Sequence, residues 1–428
     1  MWDVVIVGAR CAGAATALGL VRQGHRVLIL DRASFPSDTL STHFLWPRGA
    51  SYLNRLGLLA PVLAETPSGV ELEFQRDGIA FVCRTPLADV QKRLREVHGS
   101  DAGAVETYVS VRRTVLDRIV LDAARAAGAE FRAGVTVDEL LTEDGRVAGV
   151  AGTGPHGERV RERARFVVGA DGRASKVGAL VGAAVTAEND DATFAYWSYF
   201  SGMPLTCGLM QKRGRLASVV VPTNFGANMT LVFGPKAWWD AFKKDRDANF
   251  LRVIDFVDPA VGARMRDAKR EEKFYGIADQ RAFKRTSSGP GWLLVGDAAC
   301  IKDQCTAIGM THAFRDAELA VTAVTRALSG DDAGAVEYAA AREADLAGYY
   351  EFVGRMAGMA LATPQDLQFM RGLERDRVHA DAFAAMYGDA LRVDDFIAHV
   401  RPAVLASAPP ANDTPAPDGA AVLAAGSH

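Results

Sequence analysis

Three short segments carry residue types whose chemistry depends on spacing. The first is Val7-Gly8-Ala9-Arg10-Cys11-Ala12-Gly13, a G-x-R-x-x-G pattern between an apolar run and a run of small residues. Gly8 permits a tight turn and Gly13 a close approach of helix to strand. The free N–H groups and the dipole of the following helix then face a pyrophosphate. Arg10 stands where a third glycine would bring the backbone against the phosphate, and its guanidinium is placed to pair with a phosphate instead. Asp31 follows Gly8 by 23 residues, at the end of a second apolar run. That is the place for a carboxylate that binds a ribose hydroxyl. The second segment is Val168-Gly169-Ala170-Asp171-Gly172-Arg173-Ala174-Ser175. The third is Trp292-Leu293-Leu294-Val295-Gly296-Asp297-Ala298-Ala299, continuing to Gly309-Met310. In the third, a strand delivers the Asp297 carboxylate as an acceptor for a ligand hydroxyl, and a helix N-terminus near Gly309 can stabilise negative charge on a ring. Taken singly, each segment also reads as a glycine turn or helix cap of any α/β protein.

Holding such turns side by side takes a parallel sheet. Residues 4–7 are a β-branched run, 12–23 read as a small-residue helix, and 25–30 are a second apolar run closed by Asp31. Strand, turn, helix, strand is a βαβ unit, and strands apolar throughout fit a sheet covered on both faces. Residues 50–59 look helical. Residues 116–127 carry Leu116, Ile119, Val120 and Ala123 at helical spacing, stopped by Gly128. Residues 70–82 suggest strands, and the charged stretch 87–104 stays unassigned. Residues 135–168 read as a β-meander with turns at Asp144-Gly145 and Pro155-His156-Gly157. Alternation at 194–196, 218–221 and 229–233 marks an antiparallel block. Residues 292–295 return to a buried, parallel-type strand, and 311–328, 333–356 and the chain up to Val404 are helical by pattern. Residues 407–428 are Pro/Ala-rich and expected to be disordered.

The chain has 428 residues, enough for two to three domains at roughly 150 residues each. Lys and Arg number 49 against 52 Asp and Glu, a net charge of −3, which excludes the global basic field of a nucleic-acid binder. With 49% apolar and 24% charged residues, the composition is that of a globular chain. Five cysteines (Cys11, Cys83, Cys207, Cys300, Cys305), with no C-x-x-C pair, argue against a disulfide framework or a four-cysteine zinc site. No other metal constellation is offered. No apolar run reaches the ~18 residues of a membrane span, and the N-terminus lacks the basic stretch of a signal peptide. A cytoplasmic protein with a small-molecule substrate is expected.

In this order and spacing, the three segments resemble the FAD-binding fingerprints of the group A flavoprotein monooxygenase superfamily, which has the p-hydroxybenzoate hydroxylase-like fold. The resemblance covers roughly residues 3–330. It implies that Gly8, Ala9, Arg10, Cys11, Ala12 and Gly13 hold the FAD pyrophosphate and Asp31 the adenosine ribose, with Arg32, Ser41, Thr42 and Val137 also at the cofactor. Asp171 and Gly172 match the superfamily's D-G motif, near the pyrophosphate and implicated in NAD(P)H use. Asp297 matches the aspartate on the ribityl chain, and Gly309 and Met310 would lie at the isoalloxazine. Val111-Arg112-Arg113 with Leu116-Asp117 resembles the R-x-x-L-D segment, which makes Arg113 a further FAD contact. Lys176 stands where an arginine is commoner, and Gln304 where a proline near the flavin is usual. The implied architecture is α/β: a Rossmann-like FAD-binding domain, with a parallel sheet plus β-meander, interrupted by a mostly antiparallel β-sheet substrate domain and followed by C-terminal helices. The boundaries are 1–70, 105–185 and 281–330 for the FAD-binding domain, 71–104 and 186–280 for the substrate domain, 331–406 for the helices and 407–428 for the tail.

The implied activity is NAD(P)H-dependent hydroxylation of a small aromatic or apolar molecule. Flavin-dependent halogenases and prenyl reductases of the geranylgeranyl type also resemble the chain. Halogenases need a lysine between flavin and substrate, whereas the first lysine here is Lys92 and no W-x-W-x-I-P occurs. The reductases carry Y-x-W-x-F-P-K, which Phe194-Ala195-Tyr196-Trp197-Ser198-Tyr199-Phe200 does not match. A flavin-binding protein without turnover is the non-enzymatic alternative. His43 lies in a loop that runs toward the ring in the family and is the one catalytic candidate, with a packed histidine as the alternative. His312 reads as helix surface or cap, and Cys300 and Cys305 as buried small hydrophobes. Tyr196, Trp197, Tyr199 and Phe200 read as core, with one face free to wall an aromatic pocket. Lys243 and Lys244 read as a solvated helix face.

Overall fold

The computed structural model describes residues 1–39, 41, 43–189, 193–409 and 415–424. β1 (Trp2–Val7), α1 (Cys11–Arg22) and β2 (Val27–Asp31) form the βαβ unit, with Val4 beside Val27 and Val7 beside Leu30 in parallel register. β1 is apolar throughout because both faces are covered. Val4 and Ile6 join the cluster under the helices, while Val5 and Val7 pack with Val135, Val147 and Val150. α2 (Pro47–Arg55), β3 (Glu71–Arg76), β4 (Ile79–Arg84) and α3 (Leu87–His98) follow. α4 (Arg113–Ala126) leads to β5 (Glu130–Ala133) and the meander β6 (Thr136–Glu143), β7 (Arg146–Thr153) and β8 (Arg159–Gly169). Asp144 and Gly145, at φ 51° and 76°, make the tight β6–β7 turn that this dipeptide favours.

The middle of the chain is β9 (Thr193–Ser201), β10 (Gly208–Arg213), β11 (Leu216–Pro222) and β12 (Asn228–Pro235). β13 (Trp292–Leu294) then returns to the first sheet, beside β8. The first sheet therefore runs β13-β8-β1-β2-β5, all parallel. The second runs β9-β12-β11-β10-β3-β4, antiparallel except where β10 lies parallel to β3. β9 alternates between two cores: Trp197 and Tyr199 face the cluster of Phe44 and Tyr108, and Phe194, Tyr196 and Phe200 face Phe242 and Phe250. α5 (Gly309–Leu328), α6 (Ala333–Leu346), α7 (Tyr349–Ala357), α8 (Pro364–Arg375) and α9 (Arg377–Tyr387) complete the chain's main elements. α5 lies against α1 at Gly19, where a Cβ would stand 2.5 Å from Val321 Cγ2. No helix among the described residues is long and apolar enough to cross a membrane.

Three expectations change. The unassigned stretch 87–104 holds α3, whose buried seam is Val90, Arg93 and Leu94. One of its three inward residues is an arginine, so hydrophobic periodicity alone does not reveal it. The single helix expected over 333–356 is broken at Gly348, at φ 74°. The tail is not wholly disordered: Ala420–Ala424 is helical, Leu423 packs into the Phe242–Phe250 cluster, and Asp418 O accepts the Arg215 N–H at 2.9 Å. One well-placed leucine and a backbone hydrogen bond suffice where average composition suggests no core.

Candidate functional site

The C-terminal ends of β2, β1, β8 and β13 lie in a row, and a glycine turn leaves each of the last three. Gly8 N–H donates to Leu30 O at 2.8 Å, Ala170 N–H to Val7 O at 2.7 Å and Val295 N–H to Gly169 O at 2.9 Å. Segments far apart in sequence are thus adjacent at the edge where open parallel sheets bind ligands. The glycines are required by contact as well as conformation. At Gly8, φ 108°, a Cβ would meet Ala170 O at 2.3 Å, and at Gly13 it would meet Gly8 O at 1.9 Å. Asp31 braces the first turn, accepting from Ala9 N–H at 2.7 Å and Ala33 N–H at 2.8 Å. Gly296 sits between the starts of α1 and α5, where a Cβ would be 3.3 Å from Ala12 Cβ and 3.4 Å from Ala313 Cβ. Its N–H donates to Asp316 at 3.0 Å.

Arg10 does not face the turn as expected. Its guanidinium donates to Asp117 at 2.9 Å and to Asp38 O at 2.9 Å, and stacks over Phe35. Asp117 draws it there. That carboxylate also accepts from Cys11 N–H at 3.2 Å and pairs with Arg113 at 2.9 Å, so two guanidinia neutralise the acid that caps α1. Asp171 accepts from Lys176 N–H, Val177 N–H and Ser175 O–H, so its carboxylate starts the short helix after the D-G turn. Gly172, at φ 77°, is open around its Cβ position. Arg32 is exposed just past β2, and Ser41 Oγ accepts from His43 N–H at 3.2 Å. Thr42 lies outside the described residues. Val137 packs its side chain among Val5, Val7 and Leu28.

Asp297 is exposed in an otherwise buried run, yet protein crowds it enough that burial raises its pKa against the pull of Lys302, Arg173 and Arg113. It sits in a recess. Gly309 is also exposed, a Cβ there would meet nothing, and the first turn of α5 carries no acidic residue. Met310 is buried. Close-packed turns at Gly8 and Gly13, open space at Gly309, two helix N-termini and the acids Asp31 and Asp297 together fit the phosphates, ribose, ribityl chain and ring of FAD.

Beside residues 304–307, which lead into α5, a cavity of about 330 Å³ opens between the second sheet and α7–α9. Phe44, Phe74, Met229, Phe233, Phe352 and Tyr387 are among its walls. This volume lies within the range of small-molecule sites. Gln304, in the place of the usual proline, lines it, and its Nε2 is buried without a protein partner, as is Thr306 Oγ1. Cys305 is half-buried and also lines the cavity, rather than filling core. Lys212, from β10, is a further wall residue. A lysine therefore reaches the pocket from the second sheet, although none occurs in the first 91 residues.

His43 holds a left-handed backbone, φ 55°, which is strained for a non-glycine residue. Its Nε2 bonds the Tyr199 hydroxyl, and Nδ1 is buried with no partner. Burial, with the charges of Arg112 and Arg113, pushes its pKa far below the usual histidine value. The Arg112 guanidinium lies 3.7 Å from the Tyr199 ring centroid and pairs with Glu272 at 2.8 Å. Sequence reading overlooked Arg112 beside Arg113. The doubled arginine ahead of a helix was the available signal.

It also overlooked a buried ionic cluster. Arg48, Arg93, Arg315 and Arg342 converge with Asp316, Asp345 and Asp389. His312 joins it through Asp389 at 2.7 Å and is buried, not at the helix surface. His312, Asp345 and Asp389 stand close enough to share a cation, but Arg48, Arg93 and Arg315 already supply the positive charge.

Comparison with known proteins agrees with this geometry. Residues 1–347 match the family described as "FAD binding domain". FixC of Salmonella typhi is 29% identical over 44% of this chain, a match spanning 40% of the FixC length. The digeranylgeranylglycerophospholipid reductase of Methanocella arvoryzae is 24% identical over 78% of this chain and 80% of its own. Among solved structures, the myxobacterial chondrochloren halogenase CndH superposes with a TM-score of 0.73 at 19% identity, covering 95% of this chain and 97% of that one. PqsL of Pseudomonas aeruginosa, described as a probable FAD-dependent monooxygenase, gives 0.66 at 21% identity, covering 90% and 99%. The chain belongs to the FAD-binding domain family.

Proposed function

We propose that the protein is a cytoplasmic, NAD(P)H-dependent monooxygenase that hydroxylates a small aromatic or largely apolar molecule. The observation that carries this reading is the aromatic and methionine-walled cavity ending at residues 304–307, one turn from the N-terminus of α5. Bound FAD supplies the redox chemistry, taking electrons from a nicotinamide and passing them to oxygen. The chain supplies position and environment. Asp297 accepts a hydrogen bond from the cofactor's polyol chain, and the α5 N-terminus stabilises negative charge on the ring. The apolar walls exclude water from the reacting atoms. His43, held neutral by burial and by the charges of Arg112 and Arg113, ties Tyr199 in place through Nε2.

The test is turnover under ¹⁸O₂ with NADPH, in a screen of aromatic and apolar compounds, with bromide in parallel. A product that gains one ¹⁸O atom supports hydroxylation. A brominated product, or a gain of two hydrogens without oxygen, overturns it. Reduction of a C=C bond is the second reading, favoured by the match to the archaeal reductase over 78% of the chain.

A further inference from the structure

Arg76 and Lys212 are register partners on the parallel pair β3–β10, and both side chains line the cavity. They share one acceptor, Ala360 O, at 2.8 Å from Lys212 Nζ and 3.5 Å from Arg76 Nη2. No carboxylate pairs with either among the described residues. The nearest acids, Asp77 and Asp366, act on Lys212 through their charge without pairing with it, and Asp366 also lines the cavity. Asp77 accepts from Gly214 N–H at 2.7 Å, and Asp366 accepts the Thr363 N–H and O–H at 2.9 Å in a capping box. Arg76 Nε is buried with no partner at all. Burial, then the charge of Arg76, brings the Lys212 pKa down to about 8. Like charges facing each other across neighbouring strands destabilise a sheet. Here they do so in the wall of the cavity that residues 304–307 also line.

We propose that the cavity anchors its substrate through an anionic group, a carboxylate or a phosphate, held between Arg76 and Lys212. The apolar body then extends toward Gln304 and Thr306. This substrate class rests on reading the cavity as the substrate site. A charged acceptor satisfies both cations at once, whereas the neutral Ala360 carbonyl satisfies neither fully.

Isothermal titration of the FAD-loaded protein with decanoate, decyl phosphate and 1-decanol tests this without turnover, so its outcome is independent of which reaction the enzyme performs. At least one anion is expected to bind tenfold or more tightly than the alcohol. Binding at pH 8.5 is also expected to take up a proton, read from buffers of different ionisation enthalpy, as Lys212 regains its charge. Arg76→Gln/Lys212→Gln should bring anion and alcohol within threefold of each other while leaving the alcohol's Kd in place, and Arg76→Lys/Lys212→Arg should keep the preference. The proposal is overturned by equal affinities in the unaltered protein, by absence of binding of all three probes, or by a preference that survives in the double glutamine variant. If that variant does not fold, the three-probe comparison and the proton uptake decide the matter alone. Decanoate against decyl phosphate separates the carboxylate from the phosphate source.

Discussion

Arg48 and Asp345 are 297 residues apart in the chain and pair at 2.9 Å with both side chains fully buried. Arg48 belongs to α2, next to the cofactor-side loop, and Asp345 to α6. The same Asp345 pairs with Arg315 at 2.5 Å, and Arg315 with Asp316 at 2.6 Å, whose other oxygen holds Gly296 N–H. The turn that presents Asp297 is thus tied to the C-terminal helices by charge as well as by apolar packing. Removing one partner from a buried pair strands the other charge, so Arg48→Met should cost about 3–5 kcal/mol. Urea unfolding followed by circular dichroism measures it, and a cost below about 1 kcal/mol would show that the cluster is solvated.

Asp297→Ala should weaken FAD binding by roughly tenfold to a hundredfold, the value of a charge-assisted hydrogen bond. Lys244→Ala, in an exposed turn just past a helix end, should leave it unchanged. Fluorescence titration of the apoprotein with FAD compares the two, and equal affinities would remove Asp297 from the site.

Gly13→Ala should yield a colourless protein, or none at all, because its Cβ would stand 1.9 Å from Gly8 O. Gly309→Ala meets no neighbour in the fold and should keep the same melting temperature. It should still lower FAD affinity, because its methyl group projects where the ring is expected. Retention of FAD by the Gly13 variant, read from its flavin absorbance, would contradict this account of the turn.

Stability should fall as the pH drops below about 6.5. His312 and His43 have pKa values far below that in the folded protein, so each is neutral there while its unfolded counterpart takes up a proton. The penalty is absent above the unfolded value and grows until the folded value is reached. Burial, then Arg315, Lys302 and Arg48, oppose protonation of His312, and Asp345 and Asp389 favour it. His312→Gln/His43→Gln should flatten the melting temperature between pH 7 and pH 5, and an unchanged slope would place the acid sensitivity elsewhere.

A chain ending at Ser407 should lose about 1.5–3 kcal/mol, the burial of one leucine, because Leu423 sits in the second sheet's outer cluster. It should keep its FAD, since Leu423 packs beside Phe242 and Phe250, away from the cofactor turns. Thermal melts of the two lengths decide this.

The cofactor turns were legible in the sequence because each depends on local demands. Gly8 needs a left-handed turn, Gly13 and Gly296 need close approach, and Asp31 and Asp297 end apolar runs. The cavity was not legible, because its walls come from β3, β10 to β12 and α7 to α9, brought together only by the fold. Arg48, Arg93 and Arg315 were not singled out, since a single sequence does not show which arginines find buried carboxylates. Arg10 illustrates the limit: its place in the motif was plain, but Asp117, 107 residues on, sets its direction.

Val167 and Trp292 are register partners separated by 125 residues (292 − 167), and the entire second sheet except β3 and β4 is made between them. A ribosome adding about 5–20 residues per second needs roughly 6–25 s to cross that gap. Throughout that interval β8 presents an open edge of unpaired N–H and C=O groups, and the glycine turn after β1 faces an incomplete site. Asp297 and the α5 N-terminus emerge later still. Nascent and prematurely terminated chains therefore share one vulnerability, a half-built parallel sheet with an open edge.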